Sequence, residues 1–180
     1  MEHKNQSEKS LRTRQLVTCA ILSALSVCAL LIGGVTGILD LTALVIAALC
    51  TAFCVIEIDV RHAWLVWAVT AALSLILLPS KELAVLYLLG GMYPIAKSSF
   101  ERLHPLFMWA LKLSMFNSLF LLFILAAQKI LGLSGMGYEF TAATLLVGNA
   151  AFLVYDFALT VFISLYLIRL RRRIKLPRLK

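Results

Sequence analysis

Residues 41–58 read LTALVIAALCTAFCVIEI, a run in which Glu57 is the only charged side chain. A helix rises 1.5 Å per residue, so about 20 apolar residues cross the roughly 30 Å hydrocarbon core of a membrane. The run therefore predicts a membrane-spanning helix, and comparable runs recur along the chain.

The composition of the whole chain supports the same interpretation. Hydrophobic residues make up 62% of the 180 residues and charged residues 14%, whereas soluble domains are only about half apolar. Six charged residues lie in positions 1–14 and seven in positions 169–180, which leaves few for any water-soluble surface between them. A soluble enzyme and a soluble nucleic-acid-binding protein are therefore excluded, as is a disordered chain, because such chains are poor in apolar residues.

Six segments are predicted to span the membrane, at residues 16–32, 41–58, 63–78, 83–96, 106–131 and 144–168. The predicted fold class is all-α, a polytopic membrane protein whose six-transmembrane-helix bundle occupies residues 15–170. Residues 1–14 and 171–180 form basic tails on either side of it. Asp40, just before the second segment, is expected to cap that helix.

The fourth segment is the shortest of the six, and Gly90-Gly91 and Pro94 interrupt it. One interpretation extends it through Lys97 to Phe100, with the lysine side chain reaching back to the membrane surface. The other is a re-entrant hairpin formed together with the third segment.

The distribution of Lys and Arg predicts the orientation of the bundle. An even number of spans with a cytoplasmic amino terminus places 15 of the 17 basic residues on or near the inside and leaves Lys81 and Lys129 outside. Cytoplasmic loops carry such an excess of basic residues. Both termini are therefore expected in the cytoplasm and the chain in the cell (plasma) membrane, with its basic tails against anionic membrane lipids rather than nucleic acid.

Two ionisable residues stand out inside the predicted spans, Lys112 in the fifth and Asp156 in the sixth. Charges are costly in lipid and are pairing or functional candidates wherever they occur. The two helices are consecutive and antiparallel, so we expect Lys112 and Asp156 to be neighbours. They form either a neutralising intramembrane ion pair or a site for a substrate or a proton.

A second polar set lies toward the predicted outer side, in the outer links and in the outer parts of the last two helices. Together these side chains would supply the few hydrogen-bonding groups of a small-ligand pocket. Individually, each asparagine could instead bond across helices for structure alone. The candidate ligand-binding residues are Asp40, Glu82, Asn117, Tyr138, Glu139 and Asn149.

The first predicted helix carries a row of small residues, Ala20, Ala24 and Cys28, at four-residue spacing. Such a row lets another helix approach closely, whether inside the same bundle or in another protein. All four cysteines lie in apolar runs and are expected to be buried packing residues. Cys50 and Cys54 lie four apart, but without a nearby His or carboxylate they predict no metal site.

The basic lead Arg12-Thr-Arg14 followed by Ala20-Ile-Leu-Ser-Ala24 resembles the first helix of the substrate-binding S components of energy-coupling factor (ECF) transporters for vitamins. The family also has a similar length, six predicted helices and both termini in the cytoplasm. The resemblance implies a membrane subunit that binds a small, vitamin-like solute. It also implies that the Ala20–Ala24 face docks onto a transmembrane coupling subunit and that partner ATPases supply the energy.

No motif of an enzyme accompanies these features. The chain has no Gly-x-Ser-x-Gly, no His-Glu-x-x-His and no phosphate-binding glycine-rich loop. We therefore expect neither catalysis nor a cofactor. The alternative to a solute-binding subunit is a non-transporting membrane scaffold, because small polytopic proteins resembling the cell-shape factor MreD have similar size and basic ends.

Overall fold

The computed structural model describes residues 2–101, 104–129 and 142–170, and every regular element among them is helical. Six of the helical stretches are long and apolar enough to cross a membrane, as expected of a multi-pass membrane protein. The helices are α1 (Glu2–Thr36), α2 (Asp40–Glu57), α3 (Val60–Leu77), α4 (Lys81–Gly90), α5 (Tyr93–Phe100), α6 (Pro105–Lys129) and α7 (Ala142–Leu165), the last followed by a π-helical turn (Tyr166–Leu170).

Short polar or glycine-containing links separate the first three helices. Gly37 has a φ of 65°, a left-handed conformation that favours glycine, and it ends α1. Asp59 caps α3, because its carboxylate accepts a hydrogen bond from the Val60 N–H at 2.8 Å. The prediction for Asp40 was wrong: Leu39 is the cap of α2, and Asp40 lies in the first helical turn without a side-chain cap bond. The Leu39 carbonyl accepts from the Ala43 N–H, so the helix begins one residue earlier than the cap prediction requires.

The fourth predicted segment consists of α4 and α5, separated by Gly91 and Met92. Together they form a stretch, Lys81–Phe100, that is long and apolar enough to cross a membrane. It begins two residues before the predicted segment and ends at Phe100, as in the interpretation that extends the segment. A β-carbon on Gly91 would lie 2.7 Å from the Tyr87 carbonyl oxygen, so the break requires glycine. Pro94 lies in the first turn of α5, where its missing N–H removes no helical hydrogen bond.

The first four helices pack around a core of small and aliphatic side chains. Leu30, Ala47, Ala84 and Tyr87 are fully buried there. A second core joins Cys19, Cys54 and Ile58 with residues of α3 and α5. Small side chains let these helices approach closely, which supplies the dispersion contacts that hold helices together in lipid.

The last two helices are packed far less densely. Only 11% of the spanning window of α6 and 17% of that of α7 are buried in the protein, against 50% for α2. Most of their apolar side chains therefore face outward, as lipid-facing side chains do. A charged cluster lies among α5, α6 and α7. A cavity lies between these helices and the rest of the bundle.

Candidate functional site

The charged cluster is centred on Asp156 of α7. Lys112 of α6 donates hydrogen bonds to Asp156 Oδ1 and Oδ2 at 3.2 and 3.0 Å. Lys97 of α5 donates to Oδ1, and the Tyr93 hydroxyl of the same helix donates to Oδ1 at 2.6 Å. One carboxylate thus joins three helices.

Charges in this cluster balance. Two ammonium groups, those of Lys97 and Lys112, are almost fully buried, with exposed side-chain fractions of 2% and 3%. Asp156 supplies one negative charge and Glu101 the other, at 3.3 Å from Lys97 Nζ and 3.7 Å from Lys112 Nζ. Because the Glu101 side chain is 45% exposed, the cluster reaches the bundle surface at this member.

Neutral groups complete the surroundings of the two lysines. Lys97 also donates to the Thr160 hydroxyl at 2.7 Å, and that hydroxyl donates to the Asp156 carbonyl one helical turn away. The ammonium of Lys112 lies 5.3 Å from the centre of the Trp109 ring, over its face. Every buried charge in the cluster therefore has partners, as burial of charge requires.

Helix order predicted that Lys112 and Asp156 are neighbours, and the structure places the two side chains in contact. Lys97 was expected to reach back to the membrane surface and is instead buried against the same carboxylate. A signal for it existed in the sequence. Lys97 lies three residues before the end of α5, at the same end of the bundle as Lys112, so a count of depth from that end would have put both lysines near Asp156.

A cavity of about 470 Å³ adjoins the cluster at Tyr93. Tyr93 belongs to both, because its ring lines the cavity while its hydroxyl binds Asp156. The cavity extends toward the end of the bundle predicted to face outward. Its lining residues are Leu41, Leu44 and Val45 of α2, Leu86, Leu89 and Gly90 of α4, Tyr93 of α5, Phe116, Leu119, Phe120 and Phe123 of α6, and Gly148, Ala151, Phe152, Val154, Tyr155 and Ala158 of α7.

Of the polar residues predicted to bind a ligand, the four that the structure describes do not line this cavity. Asn117 and Asn149 bind each other, with amide-to-carbonyl distances of 3.3 and 3.1 Å. Each amide also donates to a carbonyl one turn back in its own helix, that of Leu113 or Leu145. The two side chains therefore satisfy one another across α6 and α7, which is the structural alternative considered for them.

Two further predicted ligand residues lie at the beginnings of helices. Asp40 and Glu82 lie in the first turns of α2 and α4 and not on the cavity wall. Tyr138 and Glu139 lie outside the described residues. A role in ligand binding stays a prediction for all six, and the structure adds to them an aromatic wall that the sequence analysis did not single out.

The row of small residues on α1 faces away from the bundle core. Ala20, Ala24 and Cys28 are all exposed, whereas the neighbouring Cys19 and Ser23 are buried between helices. The expectation that all four cysteines are buried was therefore wrong for Cys28. Helix rotation about its own axis explains this, because adjacent residues point about 100° apart at 3.6 residues per turn.

Among the described residues, no three His, Cys, Asp or Glu side chains are grouped as metal ligands. Comparisons of the chain with protein-family models, with curated proteins and with solved structures give no significant match.

Proposed function

We propose that the chain is the solute-binding membrane subunit of an uptake transporter, held in the plasma membrane with both termini in the cytoplasm. The cavity between α2 and the helices α4 to α7 is the observation that carries this proposal. Its volume of about 470 Å³ lies within the range of small-molecule sites. Its lining reaches Leu41, at the end of α2 that is predicted to face outward, where a solute for uptake would arrive.

The charged cluster supports the same proposal, because it lies on the inner side of the cavity. Asp156, Lys97 and Lys112 tie α5, α6 and α7 together there. Burial of charges at this depth costs desolvation free energy, and the cost is offset only when the charges neutralise one another, as these do. In the proposed subunit they close the inner side of the site while the outer side receives the solute.

The exposed row on α1 supports a partner on the outside of the bundle. Ala20, Ala24 and Cys28 are not used in packing within the chain, so they remain available for another helix. The sequence contains no nucleotide-binding motif, so partner ATPases and a transmembrane coupling subunit would supply the energy.

Substitution of Ala24 by Leu tests this assembly. The added bulk lies where two helix backbones would approach, and overpacking of such a contact costs about 1–3 kcal/mol. We expect the purified variant to lose its co-isolated ATPase and coupling subunits while its thermal stability in detergent stays that of the parent. Ala72→Leu, the same change at an exposed position of α3, is the control and should keep the complex.

Two other outcomes would contradict the proposal in different ways. If both variants retain the same ATPase complex, the row on α1 is not the docking face. If the parent chain co-isolates with cell-wall synthesis proteins and no ATPase, the scaffold alternative replaces the transporter.

A further inference from the structure

Among the residues that the structure describes, the cavity offers no polar group to a molecule inside it. Apart from two tyrosines, its lining consists of Leu, Val, Ala, Phe and Gly residues. The Tyr93 hydroxyl is engaged with Asp156 at 2.6 Å. The Tyr155 hydroxyl is buried where a water molecule does not reach it and has no hydrogen-bond partner among the described residues. Within the described part of the chain, a bound molecule therefore meets hydrocarbon and aromatic rings.

We infer that the cavity takes an uncharged, predominantly hydrocarbon molecule, a conclusion that rests on the solute-binding function proposed above and names the class of its ligand. A carboxylate, a phosphate or a sugar would lose its hydration on entry and find nothing to replace it. An apolar molecule loses no hydrogen bond and gains the removal of its surface from water. The walls thus select against the polar, vitamin-like solutes that the sequence resemblance implies.

The shape of the wall favours a molecule with flat or unsaturated parts. Phe116 stacks on Phe152 with ring centres 4.5 Å apart and on Phe120 with ring centres 5.5 Å apart. The angle between the ring planes is 18° in both pairs. These three rings form one aromatic side of the wall, and aromatic and unsaturated hydrocarbons pack well against ring edges and against the ring faces that the stack leaves uncovered.

Gly148 keeps one of these rings in place. A β-carbon on Gly148 would lie 3.0–3.3 Å from three atoms of the Phe120 ring, closer than ordinary contact. Alanine at this position would therefore displace the Phe120 ring, and the space beside the ring is the cavity. The glycine thus preserves the volume that the ligand would occupy.

Two sources could supply such a ligand, a free hydrophobic solute or the acyl chain of a membrane lipid. Both present the same chemistry to the wall. A photolabelling experiment on the purified chain in lipid nanodiscs distinguishes them, with adamantyl diazirine as the free hydrocarbon probe and a phospholipid carrying a diazirine at the end of its acyl chain as the lipid probe. Peptide mass spectrometry then locates the label.

We expect adamantyl diazirine to label peptides that contain Phe116 and Phe120. Ala151→Leu fills the cavity from α7 and should reduce this labelling about tenfold, equivalent to about 1.4 kcal/mol. Gly148→Ala should reduce it too, by displacing Phe120. Ala150→Leu makes the matched change one residue away, at an exposed position that does not line the cavity, and should leave the labelling unchanged.

The lipid probe assigns the source. Labelling of the same peptides by the acyl-chain diazirine, again lost in Ala151→Leu, identifies a lipid chain, and labelling by adamantyl diazirine alone identifies a free solute. The inference is overturned if neither probe labels the cavity wall, or if Ala151→Leu and Ala150→Leu label equally. Failure of the proposed function is seen separately, as absence of ATPase partners, and does not depend on what the cavity binds.

Discussion

The two halves of the bundle are held together by different interactions. In α1 to α4, alanines, serines and glycines at buried positions bring helices close: a β-carbon on Gly33 would lie only 2.5 Å from that of Ala43. In α6 and α7, few side chains are buried, and one buried carboxylate, Asp156, links these two helices to α5 through two lysines and a tyrosine.

This difference has a physical cause. In lipid there is no hydrophobic force between helices, so they associate through close packing or through polar bonds. Close packing is the sum of many small terms, and it fills space. A polar cluster concentrates the attraction at one point and leaves room elsewhere, and in this chain the room is the cavity beside Tyr93.

The largest effect is expected from breaking the cluster. Among the described residues, Asp156→Asn leaves two buried ammonium groups with the half-exposed Glu101 as their one counter-charge. Removal of one partner of a buried ion pair costs about 3–5 kcal/mol. We expect a loss of that order in detergent, measured by thermal unfolding, with α5 to α7 affected first.

Compensation in this cluster requires three substitutions rather than two. Lys112→Met combined with Asp156→Asn still leaves Lys97 buried, so the double variant should remain destabilised. Addition of Lys97→Met removes the last buried charge and should recover most of the loss. If the double variant is already as stable as the triple, Lys97 does not belong to the cluster. Glu101→Gln serves as the control at the exposed edge.

The densely packed half should respond to added volume instead. Gly33→Ala places a methyl group against Ala43 and should destabilise by about 1–3 kcal/mol, because neither backbone can move freely. Gly90→Ala is the matched control, since its methyl group would lie 3.8 Å from Leu44, an ordinary contact. Equal thermal stabilities for the two variants would contradict the close approach of α1 and α2.

The smallest effect is expected at the asparagine pair of α6 and α7. A hydrogen bond between membrane helices contributes about 0.6 kcal/mol on average. A double-mutant cycle with Asn117→Ala and Asn149→Ala should therefore give a coupling energy of that order in thermal unfolding. A coupling as large as that of the Asp156 cluster would mean that the two halves are not held as differently as their contacts indicate.

The sequence by itself determined that six segments are long and apolar enough to span a membrane, and approximately where each lies in the described chain. A helix in lipid must satisfy its own backbone hydrogen bonds and be apolar along its length, so each span can be recognised locally. Helix order also sufficed to predict that Lys112 and Asp156 are neighbours, because consecutive helices joined by a short link lie side by side.

Only the tertiary structure decided which way the side chains point. Lys97 points inward to Asp156, Asn117 and Asn149 bind each other, and Ala20, Ala24 and Cys28 face outward. These outcomes depend on the rotation of each helix about its axis. The sequence of a helix that is apolar on every side gives almost no indication of that rotation. Packing against neighbouring helices therefore determines the rotation, and the rotation determines the cavity and the charged cluster.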